Sequence, residues 1–212
     1  MRVRVDLHVH TSASFDCRTP PAKLWERCRA LGLGPVFVTD RDTIAAAEEL
    51  TRVHPREVVM GQEVTTTDGE IIGLFLTELV PRGLNASQAV ERIRAQGGLV
   101  YLEHPYDHSR RCLDESIIER VAAYVDIVEV FNGRSDQASN RRAEELCVIL
   151  RAAPGAGSDA HTLAEIGSVQ VEMEAFSGPM DFLAKLREGS IRHPGPLHRA
   201  LRSWLPRPPS RG

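Results

Sequence analysis

Apolar positions along this 212-residue chain switch repeatedly between two periods. Short runs rich in Val, Ile and Phe predict strands: "VRVDL", "PVFVTD", "EVVMGQEV", "EIIGLFL", "LVYLEH", "DIVEVFN" and "SVQVEME". Segments with apolar residues every three or four positions lie between them. "PPAKLWERCRALG" reads as a helix opened by proline and stopped by glycine. "TIAAAEELTRV" is a helix with Asp42 or Thr43 as its cap, and "NASQAVERIRAQGG" one with Asn85 or Ser87 near its start. "LDESIIERVAAY", "SDQASNRRAEELCVILRA" and "GPMDFLAKLREG" complete the helical set, "TTTDG" is a turn, and "APGAGSDAH" is a short strand running into a turn. Recurrent strand-helix alternation predicts parallel βα units and an α/β fold, and the number of units favours a barrel over an open sheet.

Composition narrows the class without naming a function. With 42% hydrophobic and 26% charged residues, the chain suits one substantial domain, expected over residues 1–191. A net charge of −3 removes the strongly basic footprint of a nucleic-acid binder, although a local basic patch stays open. No apolar run is long enough to span a bilayer, and the N-terminus lacks a signal-peptide pattern, so a cytoplasmic protein without a membrane partner is expected. Cys17, Cys28, Cys112 and Cys147 are scattered, with no CxxC pair, and read as reduced, mostly buried thiols. From residue 192 to 212 the chain holds several arginines and prolines and no acidic residue. That tail is expected to fray or dock on the surface, the alternative being a basic arm for RNA or an acidic partner.

The candidate chemistry collects at the ends of the predicted strands. His8 and His10 end the first, Asp40-Arg41-Asp42 the second, Glu63 the third, and His104 ends "LVYLEH". Asp159 and His161 end "APGAGSDAH". In a βα barrel the strand C-termini share one rim, so residues distant in sequence meet there. Period-two geometry sets His8 beside His10, and Asp159 beside His161, wherever the strand conformation persists. Each alone reads as a satisfied structural side chain; all of them at rim positions point to metal ligation. Asp6 shares the face of His8 and His10 and either orients a ligand or caps a turn.

The stretches "DLHVHTSAS", "TDRDTI", "GQEV", "LEHP", "EVFNGR" and "GSDAH", in this order and spacing from Val3 to Met173, resemble the PHP family (polymerase and histidinol phosphatase), in its short stand-alone subgroup. The resemblance implies a distorted (β/α)7 barrel with two or three Zn, Mn or Fe ions at the C-terminal rim of the strands. It implies His8, His10, Glu63 and Asp159 as ligands of one ion, with Glu63 bridging to a second held by His104. Asp16 and His161 would hold a third. It also implies a metal-dependent phosphoesterase acting on a small phosphate ester, a short nucleotide or an oligoribonucleotide; no stable protein partner is evident.

Two positions depart from the family pattern. Arg41 stands where the motif usually reads "TDHDT", and a guanidinium cannot ligate a cation. Three readings stay open: Arg41 grips a substrate phosphate in place of the third ion; it pairs with Asp16, Asp40 or Asp42; or the site is degenerate, a metal-binding but catalytically silent module. Glu70 stands where relatives often carry a metal-binding histidine, and is either a ligand or a turn residue beside Gly69. Arg41 and His161 are the candidate catalytic groups. Arg41, Asn132, Arg134 and His108 are the candidate substrate contacts. Arg110 and Arg111 are plausible phosphate clamps, with a solvated surface run as the alternative. A hydrolase of C–N or lactone bonds on a related barrel remains a third functional class.

Overall fold

A computed structural model of the protein describes residues 1–193. The elements, in chain order, are β1 (Arg2–Val5), α1 (Pro21–Leu31), β2 (Val36–Val38), α2 (Ala45–Val53), β3 (Val58–Thr65), β4 (Glu70–Leu74), α3 (Ala86–Ala95) and β5 (Leu99–Leu102). Then follow α4 (Glu115–Val121), a 3-10 turn (Ala122–Tyr124), β6 (Ile127–Asn132), α5 (Gln137–Leu150), β7 (Ala153–Gly157), β8 (Gln170–Glu174), α6 (Gly178–Arg187) and β9 (Ser190–Arg192). Apart from β9 and the short 3-10 turn, each corresponds to a stretch predicted from periodicity. The remainder of the Arg/Pro-rich tail, with His198, lies outside the described residues. No described helix is long and apolar enough to cross a membrane.

The α/β class holds, but the strands are not a uniform run of parallel units. Pairing gives one mixed sheet of six strands in the order β2-β3-β4-β5-β6-β7 and a separate sheet β1-β8-β9. β3 and β4 form an antiparallel hairpin, β4 also pairs antiparallel with β5, and the other neighbours in this sheet are parallel. The four-residue link "TTDG" between them is too short for a crossover helix, which forces the hairpin. β1 pairs antiparallel with β8, and β8 with β9.

The stretch just after β1 ties the two edges of the larger sheet together. Leu7 N donates to Ala156 O, Asp159 N to His8 O and His10 N to Ala160 O on the β7 side. Thr39 N, at the end of β2, donates to Val9 O. The curled sheet therefore presents the ends of β2, β3, β5 and β7 around residues 8–10.

Alternation along the strands feeds two cores. Ile72, Leu74, Tyr101 and Ile127 join Phe182 and Leu186 of α6 on one face. Ile71, Val100, Leu102 and Val128 pack on the other against Val90 and Ile93 of α3, Ile118 of α4 and Leu146 of α5. A third cluster holds Leu24 and Cys28 of α1 and Ala47 and Leu50 of α2 over β2. The helix ends follow the sequence cues with one exception. Gly32 closes α1 in a left-handed conformation, and Asn85 and Gln88 form a reciprocal capping box on α3. Neither Asp42 nor Thr43 is the cap of α2: Asp42 Oδ1 accepts from Thr65 N on β3, and Ile44 sits at the N-cap.

Candidate metal centre

Strand-end placement brings His8, His10, Glu63, Glu70, His104, Asp159 and His161 into one buried cluster. His8 and His10 lie beyond β1, where the bonds to Ala156, Ala160 and Thr39 fix the chain. Their rings point the same way, with Nε2 atoms 3.1 Å apart. Gly157 makes this approach possible: a Cβ there would sit 2.3 Å from His8 Cβ. The strand conformation does not persist through Asp159 as expected. β7 ends at Gly157, and Asp159 adopts φ +53°. His104 likewise sits at φ +29°. Two potential ligands are thus held in backbone conformations that L-residues seldom adopt.

The hydrogen bonds assign the ring protons. His8 Nδ1 donates to Glu129 Oε1 at 3.1 Å. Ser14 Oγ gives its proton to Asp40 Oδ1, so it accepts from His10 Nδ1 at 3.2 Å. Both Nε2 atoms are left facing inward, each able to bind an ion once its proton has left. Each is 3.2 Å from Glu63 Oε2, and Asp159 Oδ1 lies 3.7 Å from His8 Nε2 and 3.3 Å from His10 Nε2. Four acceptors in mutual contact repel one another unless positive charge stands between them. An ion with bonds of about 2.0–2.1 Å in tetrahedral geometry holds its ligands about 3.3 Å apart. The distances among His8, His10 and Glu63, and from the two imidazoles to Asp159, lie around that value, so these donors suit a zinc-like cation at the imidazole pair.

The surroundings carry the same sign of demand. Burial opposes charge on His8, yet Glu129 and Asp159 outweigh it and push its pKa well up. Burial likewise opposes charge on His10, but bonds to Asp159 and Glu63 raise it. Burial favours the neutral form of Glu63 and Asp159, yet Arg41 and the imidazoles pull Glu63 well down, and Arg110 with His8 and His10 does the same for Asp159. Asp159 makes no well-formed hydrogen bond with either oxygen, although Arg110 Nη2 is 2.8 Å from Oδ2. Neither ring nitrogen of His104 has a hydrogen-bond partner, and Nε2 lies 3.8 Å from Glu63 Oε1. Buried and without a hydrogen-bond partner, the His104 nitrogens are poised for a cation.

Arg41 lies inside the cluster. Its Nη1 hydrogen bonds Glu63 Oε1 and is 3.1 Å from Glu70 Oε1, while Nε donates to Asp16 Oδ2 at 2.9 Å. Of the three carboxylates considered as its partners, only Asp16 is reached. Asp40 instead accepts from Thr11 N, Thr11 Oγ1 and Ser14 Oγ. Glu70 opens β4 with its side chain buried against Arg41, which rules out an exposed turn. Burial and the charge of Glu63 push its pKa up to about 7. His161 places Nδ1 on Asp159 O at 2.9 Å and Nε2 3.1 Å from Asp16 Oδ2.

The remaining candidates divide. Asn132 is buried, donates Nδ2–H to Glu129 Oε2 and accepts from Arg134 N and Ser135 N, so its amide is committed to the loop. Arg134 lies over Asp159 with Nη1 3.5 Å from its carbonyl, and 4.0 Å from Glu165 Oε1. His108 is exposed and outside the cluster, its Nδ1 3.7 Å from Cys112 Sγ. Of Arg110 and Arg111, Arg110 turns inward to reach Asp159, whereas Arg111 is exposed and bonds Thr66 O. Asp6 does not touch the imidazoles. It accepts from Ser158 N, Ser158 Oγ and Gly167 N, pinning the turn after β7. His54 stacks on Trp25, away from the site.

The sequence reading missed Glu129. Besides His8 it accepts from Tyr101 Oη, His104 N and Asn132 Nδ2, and so orients the His8 ring and the His104 backbone at once. A carboxylate midway along the apolar run "DIVEVFN" was the available signal.

The uncharacterized protein MJ0417 of Methanocaldococcus jannaschii is 33% identical over 197 residues, covering 87% of this chain and 79% of that protein. The family profile described as PHP-associated matches residues 137–191. The chain belongs to the PHP family. Its PHP fold is shared with a two-domain protein of Bacteroides vulgatus that contains a predicted PHP-like metal-dependent phosphoesterase (TM-score 0.74, 15% identity, 91% of this chain and 65% of that chain). PsfC from Pseudomonas syringae is similar over 95% of this chain and 96% of its own, with TM-score 0.69 and 17% identity.

Proposed function

We propose that this PHP protein is a metal-dependent phosphoric ester hydrolase, acting on a phosphomonoester or the terminal phosphate of a short nucleotide. The observation that carries the reading is the facing pair of His8 and His10 Nε2 atoms, with Glu63 Oε2 3.2 Å from each and Asp159 Oδ1 at 3.7 and 3.3 Å. These four residues would hold a divalent ion, with Zn, Mn or Fe suited to the N/O donor set. Such an ion supplies a phosphoryl-polarising charge and lowers the pKa of a bound water.

The chain's own groups account for the rest. Glu129 and Ser14 keep His8 and His10 in the tautomer whose Nε2 faces the ion. Arg110 and Arg134, the partly exposed guanidiniums beside Asp159, are suited to orient phosphoryl oxygens. His161, bridging Asp159 O and Asp16, is placed to hold or pass a proton at Nε2. Likeness to a Pyrococcus furiosus protein described as a lesion-specific endonuclease, with TM-score 0.67 and 17% identity, keeps a nucleotide-sized substrate in view.

The test is hydrolysis of p-nitrophenyl phosphate, nucleoside bisphosphates and short RNA by chelator-stripped protein reloaded with Mn or Zn. Phosphate release that needs the added ion, and that His10→Ala abolishes, is the expected result. A folded, ion-loaded protein that releases phosphate from none of them would instead support the silent binding module.

A further inference from the structure

We infer that Arg41 is a built-in cation that stands in for a metal ion, so that the centre takes one ion fewer than its ligands could hold. The inference rests on the proposed metal-dependent reading. Three carboxylates from three parts of the chain converge on this one guanidinium: Asp16 from the loop after β1, Glu63 from β3 and Glu70 from β4. Glu63 divides its two oxygens. Oε2 faces the His8 and His10 nitrogens, while Oε1 is taken by Arg41 Nη1.

His104, Glu63 and Glu70 would otherwise bring donor atoms within ligating distance of one another. Asp16 and His161 lie just beyond, with Nε2 and Oδ2 3.1 Å apart. An ion drawing on Glu63 Oε1, Glu70 or Asp16 would have to displace the guanidinium from all three carboxylates.

The backbone holds Arg41 in this post. Its N–H donates to Ser14 Oγ, and it bridges Glu63 in parallel fashion: Asp42 N bonds Glu63 O and Glu63 N bonds Asp40 O. Its side chain is 6% exposed. A guanidinium neither deprotonates nor ligates, so its charge is permanent where an ion's depends on supply. The centre thereby keeps one positive charge at all metal concentrations and leaves the His8–His10 position to an exchangeable ion.

The experiment is metal content per chain after saturation with Zn or Mn and removal of free ion, read by inductively coupled plasma mass spectrometry. Parent, Arg41→Ala, Arg41→His and Arg41→Lys proteins are compared, with thermal unfolding recorded with and without chelator. Arg41→Ala and Arg41→His are expected to hold one more ion per chain than the parent, and Arg41→Lys the same number. The chelator-induced drop in Tm should be larger for Arg41→Ala than for the parent, because the buried Glu63 and Glu70 carboxylates, with the more exposed Asp16, then depend on the ion. Equal ion counts in all four proteins would overturn the inference and leave the hydrolase reading standing. A parent with no ion beside an Arg41→Ala protein with one would support the stand-in and defeat the hydrolase reading.

Discussion

At the scale of single residues, the site depends on groups that never face the ion position. Glu129 accepts from His8, His104 N, Tyr101 and Asn132, so it fixes both a tautomer and a backbone. Glu129→Gln should weaken ion affinity by roughly 10–100-fold, the usual cost of losing a carboxylate behind a ligating imidazole. A chelator-competition titration of the folded variant reads this, and unchanged affinity would contradict the role. The thiols offer a second check. Burial pushes the Cys28 thiol up to about 12 and also raises Cys17 and Cys147. In the native protein at pH 8, Cys112, the least buried of the four, should be the first to react with a disulfide reagent, and Cys28 should wait for unfolding. His8, His10, Asp159 and His104 were legible in the sequence because their residue types are unusual at strand ends. Glu129 was not, because what it does is defined by partners on other strands; Arg110 was legible as a possible phosphate clamp, but its approach to Asp159 was not. Arg41 was legible as an anomaly, but its three partners required coordinates.

At the scale of elements, the strand and helix order followed from periodicity, while pairing direction did not. Nothing in "EIIGLFL" alone distinguishes a parallel strand from the second arm of a hairpin; the four-residue link decides it. β9 escaped because three residues are too few to show a period, and among the described residues it pairs only with β8. The seam between residues 7–10 and the end of β7 is the element-level feature on which the centre rests. Gly157→Ala would press a Cβ within 2.7 Å of His8 N and should cost roughly 1–3 kcal/mol of stability. Urea unfolding measures the loss, and the folded fraction should also bind the ion more weakly, since His8 must move. By contrast Asn85→Ala removes the α3 capping box far from the site. It should cost about 1 kcal/mol and leave ion affinity unchanged.

At the scale of the whole molecule, ion binding, protonation and folding are linked. Burial raises Asp6 from 3.8 to about 6 and, with the charge of Glu63, raises Glu70 from 4.5 to about 7, while carboxylate neighbours raise His8 and His10 above 6.5. All four retain protons in the folded state that the unfolded chain releases at lower pH. Their contribution to the ion-free protein is complete at low pH and is lost as pH rises through these folded-state values. The ion replaces the imidazole protons, so binding should release protons and tighten as pH rises. Chelator should accordingly lower Tm more at pH 8 than at pH 6, as thermal scans in matched buffers would record; an equal drop would contradict the linkage. The most direct measurement is an anomalous diffraction map of crystals grown with Zn or Mn. The account predicts a peak enclosed by His8 Nε2, His10 Nε2, Glu63 Oε2 and Asp159 Oδ1. A well-ordered site in saturating ion with no peak there would contradict it.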